Sequence, residues 1–268
     1  RDTPARCLRW WRSSRAIMPG TRPWAWHDRR VRRRVRIVTP VRPSELDVHD
    51  GLSYSLWMPG RQPRGGIVIL HGAGSCKESH HDFARAAIAV GFATIAFDQR
   101  GHGASEGPMD GRAIDDVAAI ATLLRSRSQD TGMPIALRGS SMGGYLAIIA
   151  APVAGAGAVV AICPAGAEGL RRGMASGRLG FEADHEALGE LLSTHELYGA
   201  VESLSVPLLL LHAEGDEQVP VEHSRELAER TTDPESRLIT VPGGHHRSVQ
   251  HDPELQAFSL RWLERALR

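Results

Sequence analysis

From residue 67 onward the chain alternates two hydrophobic patterns. Short unbroken apolar runs at 67–70, 93–97, 134–137, 158–162, 207–211 and 237–241 predict strands buried on both faces. Between them, 82–90, 113–124, 145–151, 221–230 and 253–267 carry apolar residues at helical spacing. Within 113–124, Ile114, Val117, Ala121 and Leu124 share one face. Strands alternating with helices predict a mostly parallel sheet covered on both sides. Upstream, 35–38 and 52–57 alternate apolar and polar residues, as half-buried antiparallel strands do. One interval breaks the rhythm: about forty residues, rich in Gly, Glu and Leu, separate Cys163 from Val206, with helical spacing at 182–192. A connection that long carries structure of its own or a function. We expect a small cap at about 165–200, with a tolerated surface insertion as the alternative.

Composition adds little to this picture; charge adds more. The 268 residues are 42% hydrophobic and 24% charged, enough for one large domain with a substantial core. No apolar stretch reaches membrane length. Cys7, Cys76 and Cys163 are scattered and odd in number, which is neither a zinc spacing nor a disulfide framework and suits a reducing, cytoplasmic compartment. The net charge of +1 hides an asymmetry: residues 1–42 hold thirteen Arg against Asp2 and Asp28. The leader at 1–35 also holds Trp10, Trp11, Trp24 and Trp26. Arg interleaved with aromatics can bind nucleic acid or an anionic surface. Yet the leader has no apolar signal region and no clear amphipathic period, and Met18 lies inside it. We read it as a poorly ordered upstream translated or vector-derived extension rather than a nucleic-acid-binding arm, with the folded domain at 36–268.

Candidate chemistry centres on Gly139-Ser140-Ser141-Met142-Gly143, which follows an apolar run and precedes a helical one. This is the setting of a G-x-S-x-G nucleophile elbow. The turn holds its central residue in a strained conformation, so positions two either side must be nearly free of side chain. Gly139 and Gly143 satisfy that around Ser141; Arg138 and Met142 fail it around Ser140. At the end of the first buried run stands His71-Gly72-Ala73-Gly74-Ser75. Backbone N–H groups of Ala73 and Met142 can converge there on the oxygen of an attacked carbonyl. His71 reads as an orienting or packing residue. The run Asp98-Gln99-Arg100-Gly101-His102-Gly103-Ala104-Ser105 reads as a hydrogen-bonded loop shaping the pocket wall.

A hydroxyl nucleophile needs a base, and the base needs an orienting carboxylate. After a serine elbow, the acid and then the His follow in chain order. Asp216, in Gly-Asp-x-x-Val-Pro just past the 207–211 strand, is the favoured acid, with Glu214 and Glu217 as alternatives. Past Val241, Pro242-Gly243-Gly244-His245-His246 offers the base: His246 by its spacing from the first Gly, with His245 as runner-up. His223 and His251 read as surface residues. His80-His81-Asp82 reads as a solvated helix start rather than a metal site, and no metal is expected. Cys76 and Cys163 lack the partners of a thiol nucleophile. No phosphate-binding glycine loop appears, so no nucleotide site is expected.

Together these pieces resemble the α/β-hydrolase superfamily from about Leu52 to the C-terminus. The matching residues are His-Gly-Ala-Gly at 71–74, Asp-x-Arg-Gly-His-Gly-x-Ser at 98–105, Gly-x-Ser-x-Gly at 139–143, Asp216 and His246. The oxyanion turn and the 98–105 run look like the branch containing monoglyceride lipases and bacterial carboxylesterases. The resemblance implies an eight-stranded, mostly parallel sheet, a Ser141–Asp216–His246 triad and no cofactor. It departs from the family in a short cap and a doubled His. The expected activity is hydrolysis of small-molecule carboxylic esters; an aromatic content of only 5% and the small cap suggest short to medium acyl chains. Alternatives are amide, peptide or C–C hydrolysis on the same residues, a non-catalytic hydrolase-like binding protein, and a nucleic-acid binder acting through the leader.

Overall fold

A computed structural model of the chain describes residues 40–268, of which Pro43–Arg268 form one compact unit. The basic leader and the strand expected at 35–38 lie outside the described residues. Eight strands form one sheet: β1 (Glu45–His49), β2 (Leu52–Trp57), β3 (Gly66–Leu70), β4 (Ala93–Phe97), β5 (Ile135–Ser140), β6 (Ala156–Ile162), β7 (Leu208–Ala213) and β8 (Arg237–Val241). Their order is β1-β2-β4-β3-β5-β6-β7-β8. Only β2 runs against its neighbours; from β4 through β8 all pairs are parallel. Three of the unbroken apolar runs have the physical cause expected of them: β3, β4 and β7 are buried at every position. The run at 237–241 does not, since β8 is an edge strand exposed at Arg237 and only half-buried from Leu238 to Val241.

The helices are α1 (His81–Ala89), α2 (Ala113–Arg127), α3 (Met142–Ala154), α4 (Ala167–Ala175), α5 (His185–Thr194), α6 (Leu197–Glu202), α7 (Val221–Ala228), α8 (Ser248–His251) and α9 (Pro253–Ala266). Two cores result, one on each face of the sheet. Leu137, Val68 and Ile95 meet α2 and α3 on one side; Ile67, Ile69 and Val160 meet Phe83 of α1 and Trp262 of α9 on the other. Burying such a side chain completely contributes roughly 1.5–3 kcal/mol. Helix ends follow local chemistry. Asp252 accepts hydrogen bonds from Glu254 N and Leu255 N ahead of Pro253 at the first turn of α9, a cap worth ~1 kcal/mol. Asp184 caps α5 in the same way, which is why that helix begins at His185 rather than at 182.

Two expectations need correction. Strand β2 is buried along its whole length rather than on one face, because Leu52, Tyr54 and Leu56 join one core while Trp57 joins the other. Strand β1 was not predicted: it is a polar edge strand with Leu46 and Val48 exposed. A two-residue turn at Asp50 (φ 49°) and Gly51 (φ 77°) links it to β2, the Asp-Gly turn whose positive φ values match strand twist. Among the described residues, Cys163 is free and buried.

Candidate active site

Strand β5 runs into α3 with Ser141 alone between them, at φ 55° and ψ −117°. A non-glycine residue there costs of order 1–3 kcal/mol and persists only when its surroundings fix it. Here the backbone does so: Ser141 N donates to Ile162 O at 2.8 Å, and Ser141 O accepts from Tyr145 N at 3.0 Å and Ala165 N at 3.1 Å. A Cβ on Gly143 would lie 2.4 Å from Leu70 O, so α3 begins directly on the end of β3. Ser140 is 2% exposed, inside the strand; Ser141 is partly open to solvent.

Two strands along the sheet from β5, beyond β6, the loop after β7 delivers Asp216. Its Oδ1 accepts from Gln218 N at 2.8 Å and Val219 N at 3.0 Å. Its Oδ2 accepts from His246 Nδ1 at 2.7 Å, and His212 Nε2 lies 3.4 Å away. Burial alone would push this carboxyl up; hydrogen bonds from His212, His246 and Val219 N outweigh it and hold the carboxyl well below the usual carboxylate range. The acid and base loops are also tied backbone to backbone, Gly215 N donating to Gly243 O at 2.9 Å. Of the doubled His, His246 is buried and His245 exposed. The latter turns away, its N–H bonded to Ser248 Oγ and its Nδ1 accepting from Arg247 N. Glu214 and Glu217 are both exposed.

The 71–75 turn lies against the nucleophile: a Cβ on Gly72 would stand 3.3 Å from Ser141 Cβ. His71 is fully buried, its Nε2 accepting from Gln99 N at 3.1 Å and its Nδ1–H donating to Gly72 O at 2.9 Å. That bond fixes the peptide plane that carries the Ala73 N–H. Met142 is the first residue of α3, where N–H groups have no intrahelical acceptor. The 71–75 turn and the start of α3 thus both adjoin Ser141.

The 98–105 loop braces this turn. Asp98, 1% exposed at its side chain, accepts from Lys77 Nζ and Lys77 N, each at 2.7 Å, and from Ala104 N at 2.9 Å. Arg100 grips Asp116 of α2 through Nε and Nη2 at 2.9 and 3.0 Å. His102 Nε2 accepts from Gly74 N at 3.1 Å.

Between β6 and β7, helices α4, α5 and α6 sit beside a small apolar crevice with about 10 Å³ of space, room for little more than one water molecule. Met142, Tyr145, Leu179, Phe181, Leu188 and Leu191 are among its walls, and no charged side chain lines it. Met142, the residue after Ser141, is one of its walls.

Sequence reasoning did not foresee four features. His212 and Cys163 flank Asp216, the three ligand atoms lying within 4.8 Å of one another. They are the one group among the described residues with metal-ligating potential, but their contacts already have an account. Asp216 is engaged by two imidazoles, and burial pushes the Cys163 thiol up to about 12. Segment 179–183, which packs on the 71–75 turn, had no recognisable signal. His80-His81-Asp82 does open α1, with Asp82 partly exposed, but it is less solvated than expected: His80 is 1% exposed, and Asp82 accepts from His251 and Gln256. His223 is half-buried rather than on the surface.

Comparison with known proteins agrees with this architecture. Residues 61–181 match the family model described as serine aminopeptidase, S33. A monoacylglycerol lipase of Mycolicibacterium smegmatis is 26% identical over 246 residues, covering 75% of this chain and 87% of that protein. Human monoglyceride lipase is 33% identical over 100 residues, 35% of this chain and 32% of that one. The structure of an esterase from Pyrococcus furiosus superposes with a TM-score of 0.66 at 24% identity, over 85% of this chain and 91% of that one. The chain has the α/β-hydrolase fold. Its similarities lie with monoglyceride lipases and esterases.

Proposed function

We propose that the protein is a serine esterase cleaving carboxylic esters of short to medium acyl chains. The observation that carries this reading is the 2.7 Å bond from His246 Nδ1 to Asp216 Oδ2, at the same sheet edge as Ser141 in its strained turn. With Nδ1 donating to Asp216, Nε2 is left as the basic nitrogen. It takes the Ser141 Oγ proton as Oγ attacks the ester carbonyl. The oxyanion accepts from the N–H groups of Ala73 and Met142, each such donor worth ~3 kcal/mol in the transition state. Collapse breaks the ester C–O bond, and His246 returns the proton to the departing alcohol. Water, deprotonated by the same nitrogen, then attacks the acyl-enzyme and releases the acid. The ionised Asp216 holds the imidazole's tautomer and stabilises the imidazolium of each half-reaction.

The apolar side chains around Met142 support an apolar acyl group. The alternative of an aminopeptidase, suggested by the name of the matching family, would need a carboxylate near the acyl site for a substrate ammonium. None lines that crevice.

The test is turnover of p-nitrophenyl butyrate and labelling by a fluorophosphonate, both expected in the wild type and both lost in Ser141→Ala. Retained turnover in Ser141→Ala, or hydrolysis of aminoacyl-p-nitroanilides but not esters, would overturn the reading.

A further inference from the structure

A second imidazole reaches Asp216 besides that of His246. His212, in β7, is fully buried, as is Ser224 of α7. Its Nε2 stands 2.9 Å from Val219 O and 3.4 Å from Asp216 Oδ2. Both neighbours are acceptors, so this nitrogen carries the proton. Nδ1 is then left to accept from Ser224 Oγ, 2.7 Å away. Both ring nitrogens are thereby engaged, and the ring has one tautomer and one orientation.

These contacts converge on the turn that carries the acid. Val219 is pinned at both of its peptide groups: its N–H donates to Asp216 Oδ1 at 3.0 Å, and its C=O accepts from His212. Gln218 N donates to the same Oδ1 at 2.8 Å. On Oδ2, His246 Nδ1 arrives at 2.7 Å with His212 Nε2 nearby. The Asp216 side chain is fully buried, so a donor removed from it is not replaced by bulk solvent. Burial works against its charge; hydrogen bonds from His212, His246 and Val219 N overcome that. Cys163, the third group at this spot, stays a neutral thiol, since burial pushes it up to about 12. It adds no second anion beside the carboxylate.

We propose that His212 is a positioning residue that fixes the plane of the Asp216 carboxylate and, through it, the imidazole of His246. The inference rests on the esterase reading and deepens it. Without the Nε2 donor, Val219 O and one flank of Oδ2 lose their partner. The carboxylate is then free to rotate about Cβ–Cγ, and the 216–219 turn to shift with it. Either movement misaligns His246 with Ser141. The loss falls on rate rather than substrate affinity, because the base acts in the transition state.

Two amides of similar size divide the ring's contacts between them. In His212→Gln the side-chain nitrogen can reach the place of Nε2, toward Val219 O and Asp216. In His212→Asn it falls at the place of Nδ1, toward Ser224, and leaves the acid unserved. The purified full chain is assayed with p-nitrophenyl butyrate for kcat and KM, with a fluorophosphonate for labelling rate, and for melting temperature. His212→Gln should keep kcat within about threefold of wild type. His212→Asn should lower kcat and labelling rate together by about tenfold or more, with KM changed less than about twofold. In an Asp216→Asn background, His212→Asn should cost less than about twofold further, because it acts through that carboxylate. Equal kcat in the Gln and Asn variants, a loss confined to KM or melting temperature, or full multiplication of the two losses in the double variant would overturn the role. Should His212→Asn not fold, Ser224→Ala removes only the hydroxyl that orients the ring. A fall in kcat at constant KM then supports the role, and an unchanged kcat overturns it. A wild type that neither turns over esters nor takes a fluorophosphonate would instead defeat the esterase reading, and this role with it.

Discussion

A Cβ built on Gly139 would stand 1.9 Å from the carbonyl oxygen of Gly143. Strand and helix on either side of Ser141 therefore touch backbone to backbone, and no side chain can be fitted between them without moving one. Gly139→Ala is expected to destabilise the fold by about 3 kcal/mol or more, since relief would require shifting main chain rather than a flexible side chain. Urea denaturation of the two proteins measures the difference.

The doubled His gives a sharp contrast. Asp216→Asn should leave the protein folded and lower kcat for p-nitrophenyl butyrate by ~10⁴, because the amide no longer enforces the tautomer that leaves Nε2 basic. His246→Ala should be at least as damaging. His245→Ala should change kcat less than about twofold, as the His245 side chain faces solvent and bonds only to local backbone. Equal losses from His245→Ala and His246→Ala would reassign the base.

Acid stability follows from the buried imidazoles. His102 is lowered to about 3 and His81 to about 4 from an ordinary 6.5, burial being the main cause for both. A lowered His means the unfolded chain binds the proton more readily than the folded one. Their contribution is therefore fully present above pH 6.5 and is lost as pH falls from 6.5 toward the folded values. For His102 the slope is about 1.4 kcal/mol per pH unit in that window. Melting temperature should fall steadily between pH 6.5 and 4, and His102→Gln should flatten that fall.

Much of the fold was legible because burial on both faces of the central sheet demands unbroken apolar runs, and 67–70, 93–97 and 158–162 supply them. What escaped was held by other forces. β1 is polar and exposed, so only its Asp50-Gly51 turn announced it. α5 starts three residues late because Asp184 caps it. At the candidate site, residues joined by short-range geometry could be read from spacing. Gly139 and Gly143 bracket Ser141, and Val219, three residues past Asp216, is where a backbone N–H reaches its carboxylate. Contacts that cross the chain could not be read so. The approach of His212 and Cys163 to Asp216, and the stacking of Phe181 on His102 across 79 positions of sequence, depend on how elements pack and leave no local period or motif.

Ser141 sits in a left-handed region that a side chain resists, secured by hydrogen bonds to its own main chain and not through its hydroxyl. It follows that chemistry and durability are opposed at this one position. Ser141→Gly should yield an inert protein that outlasts the parent on heating, gaining about 1 kcal/mol or more once the turn is unstrained. Calorimetry of the pair would reveal that gain as a higher melting temperature.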